Sequence, residues 1–489
     1  MHRDAWLRRS RCGFAVGLIV LGLIVLGGSA EGASPGGASP GGASSEGASS
    51  EGASSEAGDD RAAAERGYRL LTEVSLLPPD FTQDVFDDVW QVWPEPLRSR
   101  AKSASVEERR RMAFRRYGLT PRPGDDSSRP LQYVVDEAGN WTMNCLACHG
   151  GQVLGNPYPG APNNRFALQT LTEEIRQTKL RKGVSLSRMD IGSLIIPLGT
   201  THGTTNAVVF GQGLMHHRDE DLNVVDRPPA SFTHHDMDAP PWWHFHKKTS
   251  LYIDGFAAKG HRGLMQFMLV PENGPDFFRE REDDFRDVFA YLSSIRPPAY
   301  PEPIDDDLAG RGRGIFLVSC AECHGTYGPG GDYPNRRVAW DEIRTDPVRL
   351  RSLSVQGRRK YAESWFAHAG EPEQQATVVD PDGYVAPPLD GIWASPPYFH
   401  NGSVPTLWHV LTPADRPEVW RPIGAGMDWR KVGWPIEVVG RVPWEESDIA
   451  VRRSYFDTRR RGKGNAGHDF GEALSPEERW AVLEYLKTL

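Results

Sequence analysis

Cys145-Leu146-Ala147-Cys148-His149-Gly150 and Cys320-Ala321-Glu322-Cys323-His324-Gly325 decide how this chain is read. Each motif sets two thiols one helical turn apart, with an imidazole directly after the second. Thiols at that spacing can add to the two vinyl groups of one porphyrin, and the adjacent histidine then lies beneath the iron. C-x-x-C-H is the c-type haem attachment pattern. The competing reading is zinc, which needs four ligands brought together. Two copies of the motif behind an export-type leader favour haem. We therefore expect two covalent haem c groups on Cys145, Cys148, Cys320 and Cys323, with His149 and His324 as proximal iron ligands. The fifth cysteine, Cys12, lies in the leader.

The leader is residues 1–30. Arg3, Arg8, Arg9 and Arg11 precede an apolar run from Phe14 to Leu26, and Gly28-Ser29-Ala30 is a small-residue cleavage site. That pattern is a signal peptide; the apolar run is short for a retained anchor. The expected location is exported, periplasmic or extracellular, with membrane contact only through such an anchor. Residues 31–58 repeat Gly, Ala, Ser, Pro and Glu and read as a disordered tether. The whole chain has 489 residues, 39% of them hydrophobic and 25% charged, which excludes a collagen-like, wholly disordered or polytopic membrane protein. A net charge of −9 gives no reason to propose a nucleic-acid partner.

Helical signals surround both motifs. Phe285, Val288, Phe289, Leu292 and Ile295 recur at helical spacing until Pro297-Pro298 stops them. Asp305-Asp306-Asp307 opens another helix, in which Gly310, Gly312 and Gly314 would let a neighbour approach closely. Ser475-Pro476-Glu477-Glu478 is a capping box ahead of the last helix, the expected neighbour. A further helix is expected around Ser105–Tyr117. The fold class is mainly α: two cytochrome c-like domains, each with one haem, long loops and few short strands. The first spans 59–299 and the second 300–489, with residues 297–304 as a stiff Pro-rich linker.

The motif Cys320–Tyr327, then Thr345-Asp346-Pro347, Pro387-Pro388-Leu389-Asp390-Gly391-Ile392-Trp393 and Pro397-Tyr398-Phe399-His400-Asn401-Gly402-Ser403, resembles the exported di-haem cytochrome c peroxidase superfamily. That group includes bacterial cytochrome c peroxidases and the di-haem enzyme of methylamine dehydrogenase maturation. The phrasing is most similar to the di-haem rubber oxygenase branch. The resemblance implies an N-terminal haem that reacts with dioxygen or peroxide and a six-coordinate C-terminal haem that transfers electrons. It also implies that Thr204-Thr205-Asn206-Ala207 and the Phe267 region line the distal side of the first haem. An apolar site there suits dioxygen and an apolar substrate. The implied partner is a small redox protein or another electron acceptor. The alternative is a non-catalytic di-haem electron-transfer cytochrome.

For the second haem, His468 and His400 are the candidate distal ligands, with Met427 a third option. Glycines flank His468 and a capped helix follows it, which favours His468; His400 then reads as a loop hydrogen-bonding residue. At the first haem no ligand declares itself. His261 is a candidate distal ligand or acid/base, against a surface-loop reading, and Phe267 is the candidate distal-side residue. His216, His217, His234, His235, His244 and His246 read as a solvated loop rather than a metal site. Trp242-Trp243, after Pro240-Pro241, and Trp141 are candidate electron relays, against ordinary packing. The basic runs at Arg109, Arg358 and Arg459 read as solvated faces.

Overall fold

Helices begin where the sequence caps them. Ser105 accepts from Glu108 N, and Ser475 and Glu478 close a reciprocal capping box. The helices that build the sites are α1 (Ser50–Glu73), α2 (Val106–Tyr117), α3 (Leu146–His149), α4 (Glu282–Ser294), α5 (Asp306–Ser319), α6 (Ala321–His324) and α7 (Pro476–Leu486). The computed structural model describes residues 50–125, 129–228, 230–368 and 376–489, with side chains from residue 58 onward. The expected signal peptide and residues 31–49 of the tether lie outside the described residues. Residues 50–58, the last of the expected tether, overlap the start of α1.

Met1–Gly52 and Ala53–Leu489 separate as two units, and only the second is described at length. It is mainly helical, with short strands. A three-stranded antiparallel sheet sets residues 140–143 between 81–82 and 133–135, with Phe81 opposite Trp141 and Val134 opposite Thr142. A second three-stranded sheet centres on Val419–Pro422. Thr204–Thr205 pairs with Met237–Asp238. No described helix is long and apolar enough to cross a membrane.

Two helix crossings frame the motifs. In the first, Gly67 of α1 meets α4, where an added Cβ would lie 2.1 Å from the Asp287 carbonyl oxygen. Arg66 pairs with the Asp287 carboxylate beside it at 2.7 Å. In the second, α5 crosses α7 at Gly312, where a Cβ would lie 1.8 Å from the Ala481 carbonyl oxygen. Of the three glycines on α5, Gly312 alone makes the crossing; Gly310 and Gly314 face open space.

A smaller core gathers Phe86, Trp93, Tyr117 and Trp141. The larger core runs from Leu70 to Leu486 and takes side chains from both halves of the chain. The Pro-rich segment 297–304 is docked rather than free. Trp393 donates to the Pro298 carbonyl at 3.0 Å, and Tyr300 stands edge-on to Trp393 and Trp429.

Gly312→Val should destabilise the protein by about 2–3 kcal/mol through overpacking at the crossing. Gly314→Ala, on an open face of the same helix, should stabilise it by about 0.5–1 kcal/mol. Urea unfolding of both variants checks this, and equal midpoints would contradict the crossing.

Candidate haem sites

The first motif is one turn of helix fixed at both ends. The Asn144 side chain accepts from Leu146 N and donates to Leu131 O. The Gln132 amide donates to Gly150 O and accepts from Thr120 N. This turn brings Cys145 and Cys148 to one face. Burial pushes their thiols up, to about 12 for Cys145 and about 11 for Cys148, so both are protonated and sit in apolar surroundings. The Thr205 hydroxyl contacts the Cys148 sulfur. The second motif repeats the turn in α6, and burial pushes Cys320 up to about 11. All four cysteines are free of disulfides.

The histidines of both motifs are oriented in the same way. His149 Nδ1 lies 3.0 Å from the Pro240 carbonyl, and His324 Nδ1 lies 2.8 Å from the Pro387 carbonyl. A carbonyl only accepts, so Nδ1 carries the proton on each ring and Nε2 keeps its lone pair for a metal. Each acceptor is the first proline of a Pro-Pro pair. The residue before a proline is held extended, which takes its carbonyl out of helix bonding and frees it to accept. Burial holds His149 down to about 4 and also lowers His324, so both rings are neutral, as a metal ligand must be. Trp242 stacks on the His149 ring, with centroids 4.6 Å apart.

On the far side of the second motif stands His468. Its ring centroid is 6.1 Å from that of His324. Two imidazoles bonded to one metal ion at about 2 Å each have centroids about 6 Å apart, so the residues present fit an iron between them. The loop that carries His468 is tightly determined. His468 takes the left-handed conformation (φ 51°), and its N–H donates to Ile343 O at 2.7 Å. A Cβ on the preceding Gly467 would lie 2.2 Å from the Arg344 carbonyl carbon. The Arg416 guanidinium donates to the carbonyls of Asn465, Gly467 and His468. Burial, with His324 nearby, holds His468 down to about 3, and its Nδ1 is buried without a partner. Phe399 and Phe470 flank the ring.

His400 lies elsewhere. Its ring packs on Tyr384 at 4.6 Å and its carbonyl accepts from Asp238 N. Met427 packs at the edge of the larger core. Among the described residues, no second imidazole ring is in contact with His149, whose ring neighbour is Trp242. Thr204 and Asn206 both bond the Asp236 carboxylate, which leaves Thr205 as the member of that stretch in contact with the motif. His261 is buried, which corrects its surface-loop reading, and its Nε2 is 2.9 Å from Glu282, a carboxylate shared with Arg262. Phe267 sits on a short turn and is 39% exposed, beside buried Met265 and Met268.

The histidine-rich stretch is not a solvated loop throughout. His235 and His244 are buried, and His244 Nε2 donates to Asp390 O at 2.8 Å. Among the described residues no three His, Cys, Asp or Glu side chains are grouped to hold an ion. Trp141 packs on Phe86 in the smaller core and donates to Gln83. Arg358 is buried against Asp254, so this member of its run does not lie on a solvated face. Sequence reasoning missed the Pro240 and Pro387 acceptors, whose one signal is the doubled proline. It also missed Tyr327, whose hydroxyl joins His324 O to Leu389 N.

Residues 383–421, which hold Pro387, Phe399 and Arg416, match the protein family described as RoxA-like, cytochrome c-like. Two curated relatives are uncharacterized proteins of Sinorhizobium fredii. The chain is 30% identical to y4iM over 238 residues, covering 41% of this chain and 53% of that protein. It is 28% identical to y4iJ over 261 residues, covering 40% of this chain and 42% of that protein. The matched stretch thus spans about half the length of these relatives. The family match supports a cytochrome c-like domain here, which implies covalently bound haem c and suggests a haem-dependent oxidoreductase.

Burial holds His202, His235, His244 and His409 down to about 4, and His400 to about 3. The unfolded chain takes up protons on these rings below about pH 6.5, before the folded chain does. Their contribution is therefore full above that pH and lost as pH falls towards 4. Urea unfolding should show at least about 1 kcal/mol less stability at pH 5 than at pH 7. A flat profile would mean that these rings are not held neutral.

Proposed function

We propose that this protein is an exported di-haem c-type oxidoreductase. The Cys145/Cys148/His149 centre reacts with dioxygen or peroxide, and the Cys320/Cys323/His324 centre transfers electrons. The observation that carries this reading is the difference between the two motifs. His324 faces a second imidazole at 6.1 Å, whereas the ring against His149 is Trp242, stacked on its face. A bound haem supplies one-electron chemistry and, where an axial position is open, a place for dioxygen or peroxide to react.

The chain's own residues then have distinct tasks. Pro240 and Pro387 fix the tautomer and direction of the proximal imidazoles. His468, on its clamped loop, would hold the iron of the electron-transfer centre together with His324. Phe267 supplies an apolar wall on the reacting side, in keeping with an apolar substrate. His261 is a positioning residue, since its Nε2 is engaged by Glu282 at the start of α4. Trp243 is the relay between the centres. It follows Trp242 in the chain, and its indole donates at 2.8 Å to Asp390 O, three residues from the Pro387 that holds His324. The partner is a small redox protein or another electron acceptor.

The reduced holoprotein should bind one carbon monoxide per two haems. Binding at neither iron would make the chain an electron carrier with both irons six-coordinate. His468→Ala should convert one haem from low to high spin and raise the stoichiometry to two, with both haems still covalent by mass. If His400→Ala does so instead, His400 is the ligand.

A further inference from the structure

An open cleft of about 810 Å³ lies between α1 and α4, and no residue of either motif lines it. Ala64, Tyr68, Phe289 and Tyr291 line it, and Arg61 and Arg69 stand at its rim. Its aromatic wall does not end at the surface. Tyr68 and Tyr291 meet with ring centroids 5.3 Å apart. Tyr291 stands edge-on to Trp242 at 6.3 Å, and Trp242 stacks on His149 at 4.6 Å. Three oxidisable rings therefore form a continuous line from open solvent to the proximal imidazole of the first centre. Among the described residues neither tyrosine hydroxyl makes a hydrogen bond, so both can bond a guest. Trp242 is buried and forms no part of the cleft wall, so contact with the imidazole is reached only through the tyrosines.

We propose that this cleft binds a small hydroquinone-class reductant and that Tyr68, Tyr291 and Trp242 carry its electrons to the His149 centre. The proposal rests on a haem at His149, as in the preceding reading, but not on that haem's reaction with oxygen species. A hydroquinone ring stacks on the tyrosine faces, and its hydroxyls meet the tyrosine hydroxyls and the rim guanidiniums. The volume falls within the usual range for small-molecule sites, with room for ring substituents. The redox balance is complete. One hydroquinone loses two electrons and two protons and leaves as the quinone. The electrons reduce two ferric irons to ferrous, and the protons pass to water in the open cleft.

The test is stopped-flow reduction of the ferric holoprotein by 1,4-hydroquinone, followed at the haem bands. The rate should saturate with hydroquinone concentration. Tyr291→Phe, which removes only a hydroxyl and leaves a ring that is hard to oxidise, should slow reduction at least tenfold. Tyr291→Trp should restore it. Ala64→Trp, which fills the cleft, should raise the half-saturating concentration at least tenfold. Dithionite reduction and haem content should be unchanged in all three variants. A wild-type rate linear in hydroquinone, or a wild-type rate in Tyr291→Phe, would overturn the proposal. The holoprotein mass establishes the haem that both readings need, whereas carbon monoxide binding reports on the preceding reading alone, so with haem present the two fail separately.

Discussion

Everything at the two centres depends on one hydrogen bond made twice, from a histidine Nδ1–H to a proline carbonyl. An imidazole in an apolar pocket has two nitrogens and no preference between them. The carbonyls of Pro240 and Pro387 remove that ambiguity because they can only accept. With Nδ1 protonated, the lone pair stays on Nε2 and points away from the carbonyl. Burial adds the second condition, because it holds the ring neutral and so available to a metal. The acceptors lie 91 and 63 residues after their histidines, so each bond also ties a distant segment to a haem motif.

Those segments tie to each other as well. Trp243 and His244 both donate to the Asp390 carbonyl, and Lys247 pairs with the Asp390 carboxylate. The stretch that orients His149 therefore packs on the stretch that orients His324. A shared core enforces this, since Trp243, Trp393 and Leu389 belong to one cluster with Leu70 and Leu486. A close-packed interior transmits displacement instead of absorbing it. A shift at one proximal loop is accordingly felt at the other.

The features legible in the sequence are those fixed by local chemistry. Covalent haem attachment needs two thiols at one spacing, so two C-x-x-C-H motifs stand out from the sequence alone. Helix caps are local too, and Ser105, Asp305 and Ser475 sit where the sequence puts them. Gly312 was legible as one of three candidates, because only the partner helix distinguishes it from Gly310 and Gly314. What depends on distant partners was not legible. Neighbouring histidines on a Pro-broken stretch look solvated, yet His244 is buried because Asp390 arrives from far along the chain. His261 looks like a free acid/base until Glu282 is placed on it. A Gly/Ala/Ser/Glu stretch reads as a tether by composition, and its last residues, 50–58, overlap the start of α1.

The asymmetry between the centres follows from what each loop is made to do. A second imidazole offered to one metal ion must stand at a fixed distance, and the His468 loop is fixed before any metal is considered. A glycine with no room for a Cβ, a left-handed histidine and an arginine on three carbonyls leave it little freedom. The ordering entropy has been met by the fold, so little remains to be lost on ligation. Among the described residues no second imidazole is in ring contact with His149. Its surroundings are instead rich in oxidisable rings, with Trp242 on the imidazole and Tyr291 behind it. A rigid ligand loop suits a centre that changes only its electron count. Oxidisable rings suit a centre that exchanges what it binds and must be resupplied with electrons.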